Sequence, residues 1–215
     1  MPNESSERFL QLPDGTWSRA SETTEVFTVT SSQGASSPII EIRPGQPHTI
    51  ATGSLAGCNS VALIGRDAEG GSLLHMNYFP PLLEERQKRD LASISHRFAS
   101  LFQTSTKVTA LVAVPGDWQK NSEGRYEMVP KNPARVQELS NAALSGFGDG
   151  SASVDVRVLP YRDIAQRGGH DGFIITVPAS ADKPIRYDLY SRTYGSVDAS
   201  HISVERSTNS AANPR

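Results

Sequence analysis

The segment GSLAGCNSVALIGRDAEGGSLLHMNYFPP, Gly53 to Pro81, holds the only cysteine of the chain, Cys58, and a histidine, His75, seventeen residues later. A thiol and an imidazole can form a nucleophile and its base. The imidazole takes the thiol proton, the thiolate attacks an amide or ester carbonyl, and the imidazolium then protonates the leaving group. A third group orients the imidazole by accepting from its other ring nitrogen. By chain proximity the candidates are Thr52, six residues before Cys58, or a backbone carbonyl. Ala56 and Gly57 precede the cysteine, and Gly57 permits a sharp turn that exposes the sulfur and aims N–H groups at a carbonyl oxygen. Against this stands the usual fate of an unpaired cysteine, which is to act as a small buried hydrophobe. The run Gly53-Ser54-Leu55-Ala56-Gly57 is small rather than apolar, and that weighs toward the nucleophile.

Whether the pair meets depends on the elements that carry it. CNSVALIGR (58–66) and SLLHMNYF (72–79) read as a hairpin around DAEGG. In regular register, residues near 58 lie opposite residues near 79, so His75 falls a few positions short of Cys58. A bulge, or the turn at Gly57, has to close that gap. Asp67 and Glu69, in the connection, are expected to face solvent.

Upstream, EVFTVTS (25–31), PIIEIRPG (38–45) and HTIATG (48–53) read as strands. Downstream, a helix over 82–103 shows an apolar face of Leu91, Ile94, Phe98, Leu101 and Phe102, with Glu84 and Glu85 in its first turn. KVTALVAVPG (107–116) is a buried strand by its β-branched run. Residues 117–131 form a polar loop with room for a short hairpin. Asn132 and Pro133 cap and open a second helix with Val136, Leu139, Ala143 and Leu144 on its apolar face. SVDVRVLPY (153–161), GFIITVPA (172–179) and IRYDLYSR (185–192) are further strands. The order predicts an α+β fold: a mixed β-sheet or sandwich core flanked by two main helices. One domain is expected over 15–204, between loose, flexible tails at 1–14 and 205–215.

With 37% hydrophobic and 20% charged residues the 215-residue chain has an ordinary globular composition. Its net charge of -2 gives no sign of a nucleic-acid or membrane-surface partner. A single cysteine excludes an intrachain disulfide and any zinc site built on several cysteines. His48, His75, His96, His170 and His201 include no i, i+4 pair, so a metal site is not expected. No apolar run suits a membrane span, and the polar start MPNESSERFLQL lacks the pattern of a cleaved signal. The expectation is synthesis in a cytosol; export by a specialised, signal-independent system would leave no mark.

The residues around Cys58 resemble a known group. Gly53-Ser54-Leu55-Ala56-Gly57-Cys58, a β-rich stretch and then His75 resemble the G-x-L-S-G-C … H signature of the cytotoxic necrotizing factor catalytic domain, with Ala56 in place of the usual Ser. Thr52, Cys58 and His75 also match the Thr/Cys/His spacing of the chemoreceptor glutamine deamidase CheD. The resemblance extends as a pattern of elements over roughly 48–190, ending in a strand pair around the glycine-rich turn of SVDVRVLPYRDIAQRGGHDGFIITV. It implies a deamidase-like fold and a cofactor-free protein-glutamine deamidase. Cys58 would be the nucleophile, His75 the base and acid, and Thr52 the orienting group, a role the toxin branch gives to a backbone carbonyl. The implied partner is a protein with an exposed glutamine. Toxin-branch members act on host proteins, including Rho-family GTPases, and some show transglutaminase activity.

Other residues carry weaker signals. His170 lies in the glycine-rich turn RGGHDG, either bordering the site or, as the favoured reading, in a plain surface turn; His96 reads as a helix-surface residue, and the charge run Glu84–Asp90 as a solvated helix face. Trp118 and Tyr126 suit either a rim that grips a protein or a cover for the edge of the core. Three functional readings stay open: a toxin- or CheD-type glutamine deamidase, a thiol peptidase or acyltransferase using the same dyad, and a non-catalytic binding domain. The absence of a papain-type C-G-S-C-W context argues against the peptidase.

Overall fold

The computed structural model describes residues 8–11, 17–20, 26–29, 39–45, 47–52, 55, 57–67, 71–82, 85–101, 107–148, 153–162, 169–178, 183 and 185–193. The strands are β1 (Arg8–Gln11), β2 (Trp17–Ala20), β3 (Val26–Val29), β4 (Ile40–Ile42), β5 (His48–Thr52), β6 (Asn59–Arg66) and β7 (Ser72–Phe79), then β8 (Lys107–Lys120), β9 (Tyr126–Pro130), β10 (Ser153–Arg162), β11 (Gly169–Val177) and β12 (Arg186–Thr193). The helices are α1 (Glu85–Ser100), between β7 and β8, and α2 (Pro133–Leu144), between β9 and β10. The fold is α+β, with a mixed sheet and two helices.

The larger sheet has six strands in the order β10-β8-β6-β7-β4, with β9 also pairing β8. β10 runs parallel to β8 and the other pairings are antiparallel. A second sheet has the order β12-β11-β5-β3, and β1 pairs β2 in a separate hairpin. β6 and β8 lie inside the larger sheet and are covered on both faces, which is why VALIG and VTALVAV read as continuous apolar runs.

Two apolar clusters define three layers. Ala62, Ile64, Leu74, Met76, Tyr78, Leu111 and Leu159 of the larger sheet pack with Ile50, Phe173, Ile175 and Val177 of the smaller one. Val61, Leu63, Phe79, Val108, Ala110 and Val112, from the opposite face, pack with Leu91 and Phe98 of α1 and Leu139 and Ala143 of α2. Strand alternation thus sends even-numbered residues of β6 and β7 into the sandwich and odd-numbered ones toward the helices. Arg157 ties the layers at the β10 edge: its Nε donates to Asp155 Oδ2 at 2.7 Å and its Nη1 to Tyr187 Oη of β12 at 3.4 Å. Burial works against this guanidinium's charge, but Asp155 and Tyr187 outweigh it and leave the pKa above its ordinary value.

Four expectations need correction. Arg8–Gln11, placed in a loose start, is a strand paired with Trp17–Ala20. The stretch 117–131, expected as a polar loop with room for a short hairpin, is that hairpin rather than a loop, because β8 continues to Lys120 and pairs with β9. β10 and β11 do not pair around the glycine-rich stretch: β10 joins the larger sheet beside β8, and β11 joins the smaller one between β12 and β5. His170 is accordingly a strand residue, opposite Arg192, rather than part of a turn. The C-terminal tail expected at 205–215 lies outside the described residues.

Candidate active site around Cys58

Leu55 to Cys58 forms a tight turn closed by the Cys58 N–H, which donates to the Leu55 carbonyl. Gly57, third in that turn, has φ +83°, a left-handed value that glycine adopts without strain. The turn delivers Cys58 to the start of β6. Its N–H is consumed inside the turn, so Gly57 serves chain reversal and the cysteine's own amide is not presented to a substrate oxygen. Ala56 lies outside the described residues.

Cys58 is 8% exposed and belongs to the cluster between the sheets. Ser60 pairs with Tyr78, so Tyr78 is the diagonal cross-strand neighbour of Cys58 on the same face. Tyr78 Oη donates to Cys58 Sγ at 2.7 Å. A second phenol holds the backbone beneath the sulfur: Tyr161 Oη lies 2.5 Å from the Cys58 carbonyl oxygen and 3.0 Å from that of Leu55. Tyr161, 2% exposed, comes from β10, opposite Pro115 of β8.

His75 is not brought to Cys58. The β6–β7 pairing runs without a bulge from Asn59↔Phe79 to Arg66↔Ser72, which places His75 opposite Leu63. Leu63 is five residues beyond Cys58, about 16 Å along an extended strand. The parity differs as well, because His75 shares the helix-facing side with Leu63 and Phe79, whereas Cys58 faces into the sandwich. The register is fixed at the far end of the hairpin, where Asp67 N–H donates to the Gly71 carbonyl at 3.0 Å and Gly71 N–H to Asp67 Oδ1 at 2.6 Å. At the near end, the turn at Gly57 adds no shift. The expected Cys58–His75 dyad is therefore corrected: two 8-residue strands in continuous register keep thiol and imidazole apart.

Thr52 ends β5 in the smaller sheet, fully buried, between Phe173 of β11 and Val29 of β3. His75 points away from that sheet, so Thr52 does not take the imidazole-orienting role. What sequence reasoning missed is the pair of tyrosines. The signal for Tyr78 was the hairpin register itself, which sets residues near 79 against 58; Tyr161, 103 residues from Cys58, had no local signal.

Elsewhere, His96 is exposed on α1, as expected. Trp118 and Tyr126 are 53% and 70% exposed on the β8–β9 hairpin, so they do not cover the core. They share a hairpin face with Met128, which with Pro130, Pro133, Val136, Val158 and Pro160 lines an open apolar groove of about 380 Å³. Among the described residues no group of three or more His, Cys, Asp or Glu is placed to hold a metal ion, and no helix is long and apolar enough to cross a membrane.

No protein-family model matches the chain, and no curated protein sequence matches it. The resemblance thus rests on the residues quoted for it.

Proposed function

We propose that this domain is a cysteine-dependent protein-glutamine deamidase with Cys58 as its nucleophile. The observation that carries the reading is the placement of Cys58 directly after a glycine-dependent turn, with a phenol on its sulfur and another on its carbonyl. The step is a thiol addition to the side-chain amide carbonyl of glutamine. An S–C bond forms, the C–N bond breaks, and ammonia leaves with the proton the thiol gave up. Water then cleaves the thioester, giving glutamate and the free thiol. The substrate class is a protein with an exposed glutamine, for which the resemblance offers a Rho-family GTPase or a chemoreceptor as first candidates.

A second reading is favoured by the 8% exposure of Cys58 and by the position of His75: a non-catalytic binding domain in which Cys58 is a small core residue. Incubation with candidate partners separates the two. Under the deamidase reading the protein releases ammonia and converts glutamine to glutamate in one substrate peptide, and Cys58→Ser abolishes both. Intact glutamines with both proteins, or equal release by both, reject the deamidase reading.

A further inference from the structure

We infer that Tyr78, and not His75, is the side chain that tunes the Cys58 thiol. The inference rests on the reading of Cys58 as a nucleophile and assigns its positioning residue. Three observations support it. Tyr78 Oη is 2.7 Å from Cys58 Sγ, with the hydroxyl donating. Both residues are nearly buried, Tyr78 at 7% and Cys58 at 8% exposed, where water competes weakly for that bond. His75 lies five residues along the hairpin on the other face of the sheet.

A hydroxyl that donates to sulfur favours the thiolate over the thiol, because the anion is the stronger acceptor. The phenol thus stabilises the thiolate through one donated hydrogen bond and keeps its own proton; it does not act as the base that an imidazole would be. Tyr161 complements it from below. By holding the Cys58 carbonyl it fixes the backbone from which the sulfur projects, so the short Oη–Sγ distance does not depend on the turn alone.

The test needs no substrate, so its outcome is independent of whether the domain deamidates anything. Cys58 is the only cysteine, and its alkylation by iodoacetamide, followed by mass spectrometry across pH, reports on that thiol alone. Tyr78→Phe removes one oxygen and keeps the ring. It is expected to move the pH midpoint of alkylation upward by about one unit, the size of a net hydrogen bond to a charged group. His75→Gln is expected to leave the midpoint in place. Circular dichroism of each variant confirms that the fold is retained, and Tyr78→Leu, smaller than the phenol and without a donor, serves if the phenylalanine variant unfolds. A midpoint unmoved by loss of the Tyr78 hydroxyl, or one that follows His75, overturns the inference. Loss of ammonia release in Cys58→Ser with an unmoved Tyr78→Phe midpoint would leave the deamidase standing and reject only the role of Tyr78.

Discussion

A single phenol holds both ends of the Leu55–Cys58 turn, and one glycine lets the turn close. Gly57→Ala puts a Cβ on a residue at φ +83°. It is expected to cost about 1 kcal/mol or more, read as a lower urea midpoint with an unchanged slope. The turn was legible from Gly57 and its small neighbours, since only local sterics decide it. The chemistry beyond the turn was legible only in part. Cys58 and His75 were chosen for residue type and spacing, yet spacing along the chain does not say which face of a strand a side chain occupies. With a two-residue period, the register decides that, and here it sets His75 against Leu63.

At the scale of elements, the helices hold each other by a close contact. Ser95 Oγ of α1 donates to the Ala143 carbonyl at 2.6 Å and accepts from the Gly146 N–H at 3.0 Å, answering two backbone groups at the end of α2. A Cβ on Gly146 would lie 2.2 Å from the Ser95 carbonyl carbon. Gly146→Ala is therefore expected to force the helices apart and to cost at least about 1–3 kcal/mol in chemical denaturation, as overpacking does. Asn132→Ala provides the comparison. It removes only the N-cap bond from the Arg135 N–H, 3.0 Å long, at about 1 kcal/mol. Asn132 and Pro133 announced α2 in the sequence because capping is local. The Gly146 contact and the extension of β8 were not legible, because a helix 51 residues away and a returning strand supply the partners. Gly116 shows the same dependence: a Cβ there would meet Pro160 of β10 at 2.8 Å and the Val129 carbonyl of β9 at 2.9 Å.

At the scale of the whole molecule, the sheet of six strands separates two environments. One face meets the smaller sheet and carries Cys58, Tyr78 and Tyr161; the other meets α1 and α2 and carries His75. The α+β class followed from the order of apolar patterns, which is why it could be read in advance. The division of β10 and β11 between sheets could not, since both are strands of similar composition and only tertiary pairing assigns them. Cys58 and His75 belong to different compartments of the fold, and this is the central claim. Nuclear Overhauser spectroscopy on the folded protein tests it most directly. The account predicts cross-peaks from the His75 ring to Leu63 and from the Cys58 β-protons to the Tyr78 ring; cross-peaks between the Cys58 β-protons and the His75 ring would contradict it.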